Sequence, residues 1–280
     1  MLCISDVTGL AGHTSDWRSR KEKIALVPTM GNLHEGHLSL VRKAADIADR
    51  VIVSIFVNPA QFVTGEDFES YPRTPESDHE KLEKENVDLV FSPPVDALYH
   101  DEDPYSTRVT VTGLDNIYCG KTRPGHFAGV ATVVTKLLNV TNPDIAIFGE
   151  KDYQQLLVIR YLVRDLCIPV EIVSMPTMRE PDGLALSSRN MYLDKSERQI
   201  APVLYQVLQQ TADAISRGNT DFAQLSSMAV RDLDAAGFRT DYVAICDAGT
   251  LGPPGEGDLV ILAAASIGRA RLIDNVVVRC

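Results

Sequence analysis

Hydrophobic positions along this chain fall into short runs separated by helix-patterned segments. Lys23-Ile24-Ala25-Leu26-Val27-Pro28 reads as a buried strand, after which Leu38, Val41, Ala45 and Ala48 recur at helical spacing. Val51 to Val57 is rich in β-branched residues and apolar at both alternating sets of positions, as a strand covered on two faces is. Thr74-Pro75 supplies an N-cap and a first-turn proline for a charged helix reaching about Asn86, and Val87 to Phe91 follows as a strand. The alternating acids and bases of that helix predict a solvated surface. A short strand is predicted over Val109 to Thr112. From about Phe127 to Val140 a helix turns Val130, Val133, Val134, Leu137 and Leu138 inward. Asp144 to Phe148 is again a buried strand, Gly149 to Gln155 opens a helix over Leu156 to Leu166, and Val170 to Ser174 ends the series.

Pro176 and Pro181-Asp182-Gly183 mark a boundary. Beyond it, Asp194 and Glu197 form an aspartate version of the capping box, opening a long helix through about Ser216. A second helix spans about Asp221 to Ala236, and three strand-like runs cover 241–246, 258–265 and 270–278. Strands no longer alternate with helices there, which points to a small antiparallel sheet carrying helices. The fold class is therefore α/β: a Rossmann-like parallel-sheet domain over 1–175, and a smaller C-terminal α+β domain over 176–280. The 280 residues suffice for both.

The first strand and helix are joined by Thr29-Met30-Gly31-Asn32-Leu33-His34-Glu35-Gly36-His37. A helix N-terminus carries unpaired N–H groups and partial positive charge, and Gly31 and Gly36 allow close backbone approach, so phosphate is stabilised there. His34 and His37, three apart, share one face and can reach one ligand together. The helix dipole disfavours imidazolium at this end, so neutral rings donating hydrogen bonds are expected. Two surface histidines on a first helical turn fit the same pattern; a zinc pair lacks an evident third ligand. The P-loop pattern fails twice. His37-Leu38 stands where Lys-Ser/Thr is needed after Gly31 and Gly36, and Asp115 stands where the first glycine should precede Gly120-Lys121-Thr122.

Other candidates lie in the loops after strands, where open α/β sheets bind ligands. Gln61 follows the second strand and is either a polar ligand or an exposed amide. Arg123, in Arg123-Pro124-Gly125-His126-Phe127, meets phosphate or forms an ion pair. Lys151 opposes the dipole in a first helical turn, as functional residues tend to do, and either neutralises phosphate or is an ordinary surface lysine; Gln155, one turn on, can hydrogen-bond a hydroxyl or carboxylate. Leu186-Ser187-Ser188-Arg189-Asn190 brings two hydroxyls and a guanidinium suited to polyphosphate.

Charge and composition narrow these options. A formal net charge of -11 and a pI near 5.0 argue against a nucleic-acid surface. Cys3, Cys119, Cys167, Cys246 and Cys280 are scattered, odd in number and without a C-x-x-C pair, as in a reducing cytosol. The longest apolar run, Leu259 to Ile267, falls short of the ~20 residues that span a bilayer, and no signal-type start is seen. A cytoplasmic protein without membrane or nucleic-acid partners is expected.

Taken in order, the paired-histidine loop, Phe56-Val57-Asn58-Pro59-Ala60-Gln61-Phe62, Arg123 to Phe127, Gly149-Glu150-Lys151-Asp152-Tyr153-Gln154-Gln155 and Leu186 to Asn190 closely resemble the pantothenate synthetase family. The paired-histidine loop alone is shared across the wider adenylyl-transferring superfamily. The resemblance implies an ATP-dependent ligase joining pantoate to β-alanine through a pantoyl adenylate, with AMP and pyrophosphate released. It implies an ATP site of Met30, Gly31, Asn32, Leu33, His34, Glu35, Gly36, His37, Gly149, Glu150, Lys151, Asp152, Met178, Leu186, Ser187, Ser188 and Arg189. His34 and His37 would meet the phosphates, with His37 a proton donor. Lys151, Ser187, Ser188 and Arg189 complete the catalytic set, the last three closing from the second domain onto pyrophosphate. Gln61 and Gln155 would hold pantoate and Gln61 also β-alanine, with Asn58 and Tyr71 as secondary contacts. Magnesium would bridge the phosphates without a dedicated protein cage. The family often has methionine where Leu186 stands, a volume-conserving exchange. Relatives imply a homodimer.

Two other functions share parts of this pattern. A nucleotidyltransferase would want arginines for a phosphorylated acceptor where Gln61 and Gln155 stand. A non-catalytic nucleotide-binding module would leave ATP intact with every acceptor.

Overall fold

A computed structural model describes residues 1–99 and 106–279; Cys280, counted among the five cysteines, lies outside them. The chain divides into two compact units. The larger contains residues up to Glu150 together with Val158–Pro176, and the smaller contains Lys151–Leu157 and the residues from Thr177 onward.

The larger unit opens with strand β1 (Leu2–Ile4) and helix α1 (Val7–Ser19), neither of which the apolar pattern predicts. Asp6 caps the helix by accepting the Gly9 N–H at 2.7 Å. Strand β2 (Ile24–Thr29), helix α2 (Glu35–Ile47), strand β3 (Arg50–Ile55), helix α3 (Pro75–Lys84) and strand β4 (Leu89–Phe91) follow. Next come the short helices α4 (Val95–Leu98) and α5 (Cys119–Thr122), helix α6 (His126–Thr141), strand β5 (Ile145–Gly149), helix α7 (Tyr153–Asp165), of which only the part from Val158 belongs to this unit, and strand β6 (Glu171–Met175). All six strands are parallel, in the order β1-β4-β3-β2-β5-β6. Chain order reverses about β2, so the crevice of such sheets lies beyond the carboxyl ends of β2 and its neighbours. Pairing of β2 with β5 is confined to Ala25↔Ile145 and Leu26↔Ala146.

At the opposite end of the sheet, aspartates tie the strands together. The amides of Lys23, Ile24 and Val51 donate to Asp49, Asp144 and Asp88 at 2.7, 2.8 and 2.8 Å. On one face, Ala25, Val27, Val51, Val53, Val90, Ile145 and Ile147 pack with Leu40, Val41 and Ala44 of α2 and Leu82 of α3. This corrects the expected helix face: Leu40, Val41 and Ala44 form the stripe, whereas Ala45 is exposed and Leu38 and Ala48 only flank it. No strand forms over 109–112, because the Val109 N–H is drawn to the Thr132 hydroxyl of α6 at 3.0 Å.

The smaller unit holds helices α8 (Lys195–Ile200), α9 (Val203–Ser216) and α10 (Phe222–Ala235), then strands β7 (Arg239–Asp247), β8 (Leu259–Ile267) and β9 (Ala270–Val278). The three strands form an antiparallel sheet in the order β7-β8-β9. Leu204, Val207, Leu208, Leu225 and Leu233 pack on it with Ile261, Ala263 and Leu272. Asp194 and Glu197 make the expected capping box. The single long helix is instead two, broken between Ile200 and Val203, because Pro202 has no N–H to continue the ladder.

One close approach constrains the larger unit. A Cβ on Gly129 of α6 would lie 2.0 Å from the carbonyl oxygen of Ala60 and 2.7 Å from Gln61 Cα. Those are backbone atoms and cannot rotate away. Gly129→Ala is therefore expected to destabilise the protein by about 3 kcal/mol, as overpacked sites do. An unchanged urea midpoint would show that α6 can shift from the turn at Ala60 without cost.

Candidate active site

The loop after β2 is shaped by its backbone before any ligand is considered. Gly31 has φ +80 and Asn32 φ 50, both left-handed, so the chain reverses sharply. Thr29 anchors the start: its hydroxyl donates to the Ser54 carbonyl at 2.8 Å and accepts the Gly31 N–H at 3.2 Å. The amides of Asn32 and Leu33 then donate to the two carboxylate oxygens of Asp78 at 2.8 and 2.7 Å. Lys81, one turn along α3, donates to the Leu33 carbonyl at 2.6 Å. Asp78 is only 1% exposed, which corrects the expectation of a wholly solvated helix. A signal existed: Asp78 and Leu82, four apart, share a helix face, and Leu82 is apolar.

His34 stands at the N-cap of α2, and His37 lies within its first turn. Their rings are 4.0 Å apart, centroid to centroid. The His34 N–H donates to His37 Nδ1 at 3.3 Å. That nitrogen must then be unprotonated, so a neutral His37 carries its proton on Nε2. Glu35 is turned to a surface ion pair with Arg42, whose charged hydrogen bond lowers the Glu35 carboxyl pKa. Gly36 is half-buried between the two histidines.

Gln61 sits in a short 3-10 turn, Pro59–Gln61, after β3. Asn58, 1% exposed, directs it: Asn58 Nδ2 donates to Gln61 Oε1 at 3.1 Å and to the Gly129 carbonyl at 3.2 Å. Asn58 Oδ1 accepts from the Tyr99 hydroxyl at 2.8 Å. Burial pushes the Tyr99 phenol up to about 12, which keeps it a donor. With Oε1 engaged, Gln61 offers Nε2 as a donor, here to the Met30 sulfur. Met30 and Gln61 are thus brought together. Tyr71 is buried and meets Phe62 edge-on at 5.8 Å.

Arg123 is engaged by an ion pair, the second of its two sequence readings. Its guanidinium meets both oxygens of Glu66. Arg123 Nη1 lies 3.0 Å from His126 Nε2, and His126 Nδ1 lies 2.7 Å from the Gln61 carbonyl. A guanidinium only donates and a carbonyl only accepts, so His126 takes the Nδ1–H form and links Arg123 to Gln61.

The remaining candidates fall into two groups. Gly149 ends β5 and Glu150 follows it in the larger unit, where Glu150 accepts from the Ser174 hydroxyl at 2.8 Å. Lys151, Asp152 and Gln155 belong to the smaller unit. Lys151 Nζ is 3.6 Å from the Asp152 carboxylate, and Gln155 is half-buried at the start of α7. Met178, Leu186 and Ser187 to Arg189 lie on one hairpin-like segment, closed by the Leu186 N–H donating to the Met178 carbonyl at 2.9 Å. Ser187 caps the short turn Ser188–Tyr192 by accepting the Arg189 N–H at 3.2 Å.

The parallel sheet carries the paired-histidine loop and the polar cluster around Gln61 at the carboxyl ends of its strands, an α/β arrangement whose chemistry is assigned by its relatives. The family model described as pantoate-beta-alanine ligase matches residues 3–277, and the chain belongs to that family. A pantothenate synthetase of Alkalilimnicola ehrlichii is 53% identical over 269 residues, covering 95% of this chain and 94% of the relative. The crystal structure of pantothenate synthetase from Thermus thermophilus superposes with a TM-score of 0.93 at 44% identity, covering 100% of both chains. A pantoate-beta-alanine ligase from Francisella tularensis, solved with beta-gamma ATP and β-alanine, gives 0.82 at 36% identity over 99% of this chain and 97% of that one. No helix among the described residues is long and apolar enough to cross a membrane.

The Glu66–Arg123 pair gives a test of the Gln61 network. Burial pushes the Glu66 carboxyl up, but the hydrogen bond and charge of Arg123 outweigh it and leave it below its usual 4.5. A depressed folded pKa contributes stability that is full above the unfolded value and lost as pH falls through the folded one. Glu66→Gln is expected to cost about 2 kcal/mol at pH 7, as charged hydrogen bonds do. Its stability should also fall less steeply than wild type below about pH 4.5. Urea unfolding across that range checks both, and parallel curves would remove the pair from the network.

Proposed function

We propose that the chain joins pantoate to β-alanine in two steps, with ATP consumed and a pantoyl adenylate as intermediate. Family membership and the Francisella relative solved with beta-gamma ATP and β-alanine support this reading. In the first step a pantoate carboxylate oxygen attacks the α-phosphorus. The bond from that phosphorus to the bridging oxygen breaks, and its electrons leave with pyrophosphate. No covalent enzyme nucleophile is needed, so the protein's task is positioning and electrostatic stabilisation.

The observation that carries this assignment is the His34 N–H on His37 Nδ1, which leaves the neutral His37 ring a donor at Nε2. Such a donor strengthens as charge grows on the phosphate oxygens. His34 and the loop from Met30 to His37 complete this part of the ATP site. The Asn32 and Leu33 amides are already engaged by Asp78, so their contribution is the shape of the loop. Gly149, Glu150, Lys151 and Asp152 are assigned to the nucleotide, together with Met178 and Leu186. Lys151, Ser187, Ser188 and Arg189 are assigned to the leaving pyrophosphate, with closure of the smaller unit as part of the reading. Gln61 and Gln155 are assigned to pantoate, and Gln61, oriented by Asn58, also to β-alanine. In the second step the β-alanine amine attacks the acyl carbon, the bond to the phosphate oxygen breaks, AMP leaves and the amine sheds a proton.

Magnesium would enter with the nucleotide and neutralise phosphate charge, needing few ligands from the protein. A cytoplasmic setting agrees with the four described cysteines, none of which forms a disulfide. A homodimer is implied by the family resemblance.

The test is pantoate-dependent exchange of labelled pyrophosphate into ATP, with magnesium present and β-alanine absent. Exchange only with pantoate supports the adenylate; AMP formed on adding β-alanine, without prior exchange, overturns the two-step scheme. Lys151→Ala or Arg189→Ala is expected to lower exchange roughly 10²-fold, by analogy with the loss of one oxyanion-hole donor. A near-normal rate would take that residue out of the mechanism.

A further inference from the structure

Strand β9 carries two adjacent buried polar residues that no catalytic assignment uses. Asp274 is 4% exposed and Asn275 6%, between apolar residues of a strand that otherwise builds the core of the smaller unit. Neighbours on a strand point to opposite faces, so these two serve different partners. Asp274 takes a two-point pair from Arg179, at 2.6 and 2.9 Å. That guanidinium also donates to the Gly183 carbonyl at 3.1 Å and lies 3.6 Å from the centre of the Tyr205 ring. Asn275 reaches the other way, its Nδ2 donating to the backbone carbonyl of Lys151 at 2.9 Å.

Asn275 is itself held on both sides of its Cα. Its N–H donates to Asp274 Oδ1 at 2.7 Å, and its carbonyl accepts from Arg179 Nη2 at 3.3 Å. A side chain fixed so firmly can fix what it holds. Lys151 lies in the 3-10 turn Glu150–Asp152, before the regular ladder of α7 begins, where backbone is held least by its own helix. A second tie flanks it: the Tyr153 hydroxyl donates to the Ala248 carbonyl at 3.0 Å.

We infer that Asn275 is a positioning residue for catalysis: it sets the backbone at Lys151 and thereby the ammonium group, with Asp274 and Arg179 holding Asn275 in place. The inference rests on Lys151 acting in adenylate formation. Asn275→Asp keeps the shape but sets a carboxylate oxygen against the Lys151 carbonyl, where no donor remains. Asn275→Ala removes the donor without adding charge.

The experiment is a double-mutant cycle on pyrophosphate exchange, using Lys151→Ala, Asn275→Asp and the double variant in the full-length chain. Asn275→Asp is expected to lower the kcat of exchange ~10- to 100-fold, while the KM for β-alanine in the complete reaction stays within about twofold. Residues acting as a unit are not additive, so the double variant should be no slower than Lys151→Ala alone within about twofold. Asn275→Ala should fall between wild type and Asn275→Asp. Normal exchange in Lys151→Ala overturns the role of Lys151 and this inference with it. Normal exchange in Asn275→Asp beside a crippled Lys151→Ala overturns the positioning role alone, as do losses that multiply in the double variant. Failure of both Asn275 variants to fold assigns the residue to stability and overturns the inference as well.

Discussion

A single buried carboxylate sets the shape of the loop on which the candidate chemistry stands. Asp78 holds the amides of Asn32 and Leu33, and Lys81 holds the Leu33 carbonyl, so one turn of α3 grips both polar groups of one residue. Charge-assisted bonds of this kind contribute about 1.5–3 kcal/mol each, whereas a buried carboxylate without partners is strongly disfavoured. The loop and the helix therefore depend on each other. With Leu33 fixed and buried, His34 has to serve as the N-cap of α2, and His37 has to share its face. Gly31 is required in the same arrangement: its backbone is left-handed, and a Cβ there would lie 3.1 Å from both Asp78 Oδ2 and Ile55 Cγ2.

The same logic runs through Gln61, with neutral groups in place of a carboxylate. Asn58 uses both ends of its amide, one on Tyr99 and the other on Gln61 and Gly129. His126 ties the Gln61 backbone to Arg123, and Arg123 is neutralised by Glu66. Most of these groups satisfy one another, which leaves the Gln61 Nε2 as the donor they jointly aim. A surface glutamine would sample many rotamers; this one is ordered by its neighbours, so the entropy of ordering it falls in folding.

Much of this architecture was legible in the sequence, and the parts that were not share a cause. Buried parallel strands announce themselves by continuous apolar runs, so β2, β3 and β5 are plain, as is the inward face of α6. Strand β1 is three residues long and α1 has little apolar periodicity, so local patterning is silent there. Val109 to Thr112 has strand-like residues, yet its backbone bonds to a distant threonine. For the site, the residues expected to meet ligand could be picked from loops after strands, because chain direction alone puts those loops at one end of the sheet. Of the residues that hold them, Asn58 stands in the same motif as Gln61, whereas the distant ones could not be picked. Asp78 lies 45 positions from Leu33 and Asn275 lies 124 from Lys151, separations at which only the folded chain reveals a partner.

The two ends of the parallel sheet then explain why an acidic chain can host polyanionic chemistry. Asp49, Asp88 and Asp144 spend their charge at the amino ends of the strands, on strand amides, with Arg50 further neutralising Asp88. At the carboxyl end the buried acid, Asp78, is turned inward onto backbone N–H groups, and Glu66 is matched by Arg123. The formal charge of -11 is thus a property of the whole surface, whereas a phosphate responds to the groups within a Debye length, about 8 Å at physiological ionic strength. In the larger unit the groups expected there are the start of α2 and the paired His34 and His37 rings. Local groups decide what such a site can hold, and they are fixed both by near neighbours, as Gln61 is by Asn58, and by a buried acid from a distant part of the chain, as the loop before His34 is by Asp78.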